Sequence, residues 1–210
     1  MITRFDILGK DPKFIQSFTD SLDQIPLRYK SLRDLQLRFQ ILIWSMKFSK
    51  KVNGDVVECG VWYGVLSRAL LNCFEEIDDR NFYLFDSWGQ PGFKLKGYYK
   101  QGNYLENIFE VVKLRFPDRK VKLIRGELPH SLNNKLPRLM SLLTIDLNSG
   151  LIEVQILNKS WTKIPKGRII YFDDYNSDFP LIKNSIDKFV KKFQQNLLVF
   201  PSGQALIIKQ

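Results

Sequence analysis

Asp55-Val-Val-Glu-Cys-Gly-Val-Trp-Tyr-Gly64 is followed, 22 residues beyond Gly64, by Asp86. A short apolar strand carries an acid at Glu58, runs into a glycine turn and gives way to a helix starting near Val65. Glycines at such a turn let the backbone approach a ligand that any side chain would push away. A second apolar stretch, Asn81-Phe-Tyr-Leu-Phe85, then delivers Asp86, a carboxylate suited to the two hydroxyls of a ribose. The spacing E-x-G-x-x-x-G is neither the G-x-G-x-x-G of dinucleotide binders nor a phosphate-cradling P-loop, which requires Lys-Ser/Thr. Glu58 also argues against a phosphate, because a fixed anion repels one. A cationic, ribose-bearing ligand such as S-adenosylmethionine fits better. Strand–glycine–helix turns also occur purely as tight packing; the second acid in register is what favours a ligand here.

Working outward from that stretch, 210 residues suit one domain, 1–210, divided into an N-terminal helical extension (1–50) and an α/β core (51–210). A hydrophobic content of 44% with 16 Phe is enough to build a sizeable core. No apolar run reaches the ~18 residues of a membrane span, and Met1-Ile-Thr-Arg-Phe-Asp6 has no signal-peptide pattern. Cys59 and Cys73 form neither a disulfide framework nor a metal-ligand spacing. They read as reduced, buried thiols, which favours a cytoplasmic location. The net charge of +10 raises the prospect of nucleic acid or an anionic membrane. Its lysines are scattered, however: Lys47, Lys50 and Lys51; Lys94, Lys96 and Lys100; Lys188, Lys191 and Lys192. With no arginine-rich tract, a solvated lysine surface is the better account and nucleic acid is disfavoured.

Residues 1–30 have mixed polarity, broken by Pro12 and Pro26. From Ser31 to Ser49, Leu32, Leu35, Phe39, Leu42, Ile43 and Met46 recur at three- and four-residue steps, predicting an amphipathic helix capped by Ser31. Short β-rich runs follow at 55–59, 81–85, 121–124, 141–145 and 168–172. Helices are predicted near 65–76, 104–116, 151–162 and 180–195. Leu197–Phe200 and Ala205–Lys209 flank a Pro-Ser-Gly turn and read as a hairpin. The whole predicts a doubly wound, mostly parallel seven-stranded sheet with helices on both faces and a C-terminal antiparallel hairpin strand.

In such sheets ligands sit off the carboxyl ends of the strands. That rule selects Glu58, Asp86, Asp146, and the adjacent Asp173 and Asp174. Two neighbouring carboxylates plus a third from the next strand make an oxygen-rich site for a hard cation such as Mg²⁺. Without a cation, such a group requires a raised pKa. The structural alternative is that Asp174 caps its loop while Asp173 accepts from backbone amides.

Glu58-Cys-Gly-Val-Trp-Tyr-Gly64, Phe85-Asp-Ser-Trp-Gly-Gln-Pro91, Ile145-Asp-Leu147, Phe172-Asp-Asp-Tyr175 and Pro201-Ser-Gly-Gln-Ala205 resemble, in order, the motifs of the macrocin O-methyltransferase (TylF-like) family. The resemblance runs from about Arg28 to Gln210. It implies a class I S-adenosylmethionine-dependent fold, Mg²⁺ dependence, and methylation of a hydroxyl on a sugar, a glycan or a glycosylated small molecule. Carried onto this chain, it implies that Glu58, Gly60 and Gly64 frame the methionine end of the cofactor, with Glu58 facing its positive charges. Asp86 would hold the ribose hydroxyls, Ser87 would steady the adjacent loop, and Gly126 and Glu127 would lie beside the adenine. Asp146, Asp173 and Asp174 match the metal ligands.

One departure stands out. The family reads D-x-D-x-Y after the fourth strand, the second acid being the presumed base. Here the stretch is Asp146-Leu-Asn148-Ser-Gly150, and an amide cannot take the proton. Either Mg²⁺ alone acidifies the hydroxyl, or His130 or Glu153 substitutes, or catalysis is lost while cofactor binding survives. An RNA methyltransferase is the rival motivated by charge. The loop from Ser87 to Gly102 reads as a lid over the acceptor. A homo-oligomer is compatible with this reading.

Overall fold

The computed structural model describes residues 11–23, 32–74, 80–89, 108–117, 120–176 and 180–210, with only the backbone of 32–35. The described elements run α1 (Pro12–Ser21), α2 (Leu32–Ser49), β1 (Asp55–Cys59), α3 (Val65–Cys73), β2 (Phe82–Asp86), α4 (Ile108–Arg115), β3 (Val121–Arg125), β4 (Met140–Ile145), α5 (Gly150–Ser160), β5 (Ile169–Phe172), α6 (Pro180–Lys192), β6 (Leu197–Val199) and β7 (Ala205–Ile208). Every predicted strand is present within a residue at most bounds. The predicted helix starts at Ser31 and residue 104, and most of the Ser87–Gly102 loop, lie outside the described residues.

The seven strands form one sheet in the order β3-β2-β1-β4-β5-β7-β6. β1 to β5 pair in parallel, while β7 runs antiparallel to both β5 and β6. The order reverses between β1 and β4, the switch point where open sheets leave a crevice at their carboxyl edge. Side chains alternate between faces, as the two-residue period of a strand dictates. Val56, Phe82, Leu84, Leu142, Ile169 and Tyr171 pack on one side with residues of α1 to α4. Val57, Phe85, Leu143, Ile145, Ile170 and Phe172 pack on the other with α5 and α6. Glu58, Asp146 and Asp173 share the parity of the first set, so they start from the face covered by α2 and α3.

A helix over Pro12–Ser21 was not predicted in the mixed N-terminal stretch. Asp11 caps it, its Oδ1 accepting from the amides of Lys13 (3.0 Å) and Phe14 (3.4 Å), and Pro12 occupies the first turn. Phe14 and Phe18 stack on Phe39 of α2, so this helix belongs to the core rather than to its margin. The carboxyl end of α2 is tied to the sheet. Arg80 donates to the carbonyls of Ser49 and Lys50, both at 2.8 Å, and Ser49 Oγ donates to the Ser141 carbonyl at 3.1 Å. Among the described residues, no helix is long and apolar enough to cross a membrane.

Candidate functional site

The carboxyl ends of β1, β2 and β3 are laced together by backbone hydrogen bonds. Gly60 N–H donates to the Phe85 carbonyl (2.9 Å), and Gly126 N–H to that of Asp86 (2.9 Å). At the switch point Asp146 N–H donates to the Cys59 carbonyl (2.9 Å). Gly60, at φ +87°, lies so close to β4 that a Cβ would sit 1.8 Å from the Asp146 carbonyl oxygen. Packing alone therefore requires this glycine. Gly64, at φ +74°, is the N-cap of α3, and a Cβ there would enter the Phe116 ring at 2.4 Å. Trp62 (φ 52°) and Trp88 (φ 42°) are also left-handed. Bulky residues are held in that conformation only where the surroundings dictate it, as at ligand sites.

Asp86 has a task that sequence reading did not find. Its Oδ2 accepts from the amides of Val61 (2.7 Å) and Trp62 (2.8 Å), and its Oδ1 from the Trp88 amide (2.9 Å) and, at 3.4 Å, from Ser87 Oγ. It thereby ties the glycine loop to β2. With about four acceptor positions on a carboxylate, only the long Ser87 contact is weak enough to yield to a ribose hydroxyl. Trp88 is buried, and its Nε1 closes the arrangement by donating to the Trp62 carbonyl at 2.8 Å.

Glu58 is 3% exposed and accepts from Ser67 Oγ, on the first turns of α3. Burial pushes its pKa up to about 8, opposed by the Ser67 bond and reinforced by the charges of Asp86 and Asp173. The group is therefore largely protonated at neutrality, and a nearby cation would favour its ionised form. Gly126 and Glu127 follow β3, with Glu127 exposed. A Cβ on Gly126 would meet that of Ser131 at 2.9 Å. Ser131 Oγ is buried without a hydrogen-bond partner among the described residues. A buried hydroxyl in that state implies a missing partner. The orphaned hydroxyl and the acid able to meet a cation both fit an adenosyl sulfonium ligand.

Off β4 and β5, one oxygen each from Asp146, Asp173 and Asp174 lies within 4.8 Å of the others. Burial first, then the charges of Asp173 and Asp174, holds Asp146 well above the usual carboxylate range; a side-chain hydrogen bond to Asp174 adds to this and Arg38 opposes it. Asp173 is likewise raised, chiefly by burial, with Arg38 opposing. Three converging carboxylates, two of them (Asp146 and Asp173) held above the usual carboxylate range, suit a hard divalent cation. The alternative of Asp173 as an acceptor of backbone amides does not describe its side chain. Its carboxylate takes the Tyr171 hydroxyl (2.7 Å) and the Arg38 guanidinium, while its carbonyl takes Gln204 Nε2 (3.2 Å). Arg38 also reaches Asp174 Oδ1 at 3.2 Å. Arg38 and Tyr171 were missed because one cation on an amphipathic helix and one Tyr in a strand look like ordinary surface and core. Gln204 had a signal, lying within a quoted motif.

The candidates for a base divide. Asn148 is exposed at φ 52°, the left-handed region that Asn tolerates, in the turn leading to α5. Glu153 is 2% exposed, and burial lifts its pKa to about 7, with an opposing backbone hydrogen bond from Ser149 and added repulsion from Asp174 and Asp173. His130 is exposed in a short 3-10 turn after β3. Among the described residues it is not one of the side chains that converge with the three acids.

A family model described as a methyltransferase domain matches residues 57–175, more than half the chain, spanning the glycine turn and all three clustered acids. The chain belongs to the methyltransferase domain family. No curated protein is significantly similar to this methyltransferase in sequence. Among solved structures, the O-methyltransferase NovP superposes with a TM-score of 0.70 at 22% identity, covering 82% of this chain and 79% of that one. CalS11, a TDP-rhamnose 3'-O-methyltransferase of calicheamicin biosynthesis, gives 0.63 at 18% identity, covering 95% and 94%. The Podospora anserina methyltransferase PaMTH1, solved with SAH, gives 0.64 at 13% identity, covering 95% and 88%. At these identities the likeness establishes the Rossmann-like fold.

Proposed function

We propose that this methyltransferase transfers the methyl group of S-adenosylmethionine to a hydroxyl of a sugar or glycosylated small molecule, with Mg²⁺ at the acid cluster. The observation that carries this reading is the convergence of Asp146, Asp173 and Asp174 within 4.8 Å, beside the glycine turn of a methyltransferase-family chain. Its likeness to CalS11, which acts on TDP-rhamnose, supports a sugar acceptor, and the motif order supports the macrocin O-methyltransferase branch.

In this reading the glycine turn and Asp86 seat the cofactor, and Glu58 ionises against its positive charges. The sulfonium is already activated, so the protein's main task is to align an acceptor oxygen with the methyl carbon. A divalent cation, when bound, supplies Lewis acidity toward a hydroxyl. Asp146, Asp173 and Asp174 would hold it, with Tyr171 and Gln204 orienting Asp173. Asn148 cannot accept the acceptor proton. Glu153, whose pKa burial lifts to about 7, would be the substitute base.

The test is incubation with labelled cofactor and a panel of nucleotide sugars and glycosylated small molecules, with Mg²⁺ and with excess chelator. Magnesium-dependent labelling of a sugar hydroxyl is expected. Full activity in chelator would remove the metal, and labelling of RNA alone would replace the acceptor class. Asn148 favours a second reading, a cofactor-binding chain without turnover; cofactor binding with no labelling on any acceptor would support it.

A further inference from the structure

The acid cluster already has a cation, and it is covalently part of the chain. Arg38, on α2, donates through the same Nη1 to Asp173 Oδ2 and to Asp174 Oδ1. It also approaches the Asp173 carbonyl at 3.4 Å. Nη1 therefore occupies the space between two of the three carboxylates that converge here. Its hydrogen bonds go to Asp173 and Asp174, and toward Asp146 it acts through charge.

We propose that Arg38 is a tethered counter-cation that holds the position of the divalent ion and must leave its carboxylates for the ion to bind. This rests on the reading of Asp146, Asp173 and Asp174 as a divalent-cation site. A small hard cation draws its oxygens to about 2.1 Å, whereas a guanidinium sits at hydrogen-bond distance, about 2.8 Å. One space between two carboxylates does not serve both. Without an ion, three clustered acids would strongly oppose one another, and Arg38 offsets part of that repulsion. With an ion, it competes for the same oxygens.

The local architecture allows the exchange. The Arg38 side chain is 26% exposed, against 5% for Asp173 and 12% for Asp174, so it reaches water more freely than the two acids it bonds. α2 itself is held in place by Arg80 and Ser49 at its far end and by buried Phe39, Leu42, Ile43 and Met46. Displacement is thus a side-chain rotation rather than a helix movement. Asp173 keeps its orientation throughout, because Tyr171 Oη holds its carboxylate and Gln204 Nε2 its backbone carbonyl, both independently of Arg38. The competition lowers the site's affinity for the ion while keeping the empty site folded.

Direct titration of the full chain with Mn²⁺ alone, read by the paramagnetic resonance of the free ion, tests this without any turnover. Arg38→Met is expected to bind Mn²⁺ tighter than the wild type by about ten-fold or more, the scale of removing one adjacent competing charge. Equal or weaker binding by the variant overturns the inference while leaving the metal site standing. Failure of both proteins to bind Mn²⁺ overturns the metal reading and the inference together. A second measurement needs no variant. In the wild type, the Arg38 guanidinium resonances should be slow to exchange with water in metal-free protein and fast in saturating Mg²⁺. Unchanged exchange on Mg²⁺ binding would show that Arg38 stays in place.

Discussion

Glu58 turns on one ionisation, and Asn148 on the lack of one. Unfolded, Glu58 titrates near 4.5; folded, it holds its proton up to about pH 8 because burial opposes the charge. Between those values the folded state binds more protons than the unfolded one. The contribution of Glu58 to stability is thus complete below pH 4.5 and is lost as pH rises to about 8. Against Glu58→Gln, the wild type should lose stability across that window by an amount on the order of a few kcal/mol, as read from denaturant melts at several pH values. Parallel curves would mean that Glu58 is already ionised through a partner. Asn148 sits in a left-handed turn that Asp also tolerates, so Asn148→Asp should fold normally. Supplying a carboxylate there should raise turnover at neutral pH by about ten-fold or more, the lower part of what a general base contributes. An unchanged rate, with Glu153→Gln inactive, would assign the base to Glu153.

The elements differ in how openly they announce themselves. α1 opens with Asp11-Pro12, a cap followed by a residue suited to the first turn, and Phe14, Phe18 and Leu22 recur at four-residue steps and are buried. Pro12, a break by its sequence alone, is the first residue of this helix. Asp11→Ala should therefore cost about 1 kcal/mol of stability, the usual value of such a cap, with cofactor affinity unchanged. A melt indistinguishable from the wild type would mean that packing of Phe14 and Phe18 alone sustains the helix. The strands were legible because their apolar runs are short and bounded. Glycine or an acid stands at the carboxyl end of each site-forming strand, where the sheet meets the crevice.

At the scale of the molecule, the site has two halves supplied by different parts of the sheet. In the proposed reading, turns after β1, β2 and β3 would form the cofactor side; turns after β4 and β5, with Arg38 from α2, form the acid side. The halves should separate experimentally. Asp173→Asn with Asp174→Asn should lower turnover by about 100-fold or more, the scale of losing preorganised electrostatics, while calorimetric affinity for S-adenosylmethionine stays close to the wild type. Equal loss of both would mean that the acids serve the cofactor. A melt is needed alongside, because the double substitution also leaves Arg38 without its partners.

The sequence by itself determined the alternation of strands and helices, the glycine turn and the short roster of acids, since each depends on local pattern or on neighbours within a few positions. Tertiary structure alone decided what those acids do. Asp86 bonds amides 24 and 25 residues away, Glu58 takes a hydroxyl from the next helix, and Asp173 meets Arg38 across 135 residues. Charge and hydrogen-bond capacity are written in a residue's type, but the partner that uses them is set by which elements the sheet order brings together. Burial, which moves Glu58 and Glu153 toward neutrality, exists only once the core has closed around them.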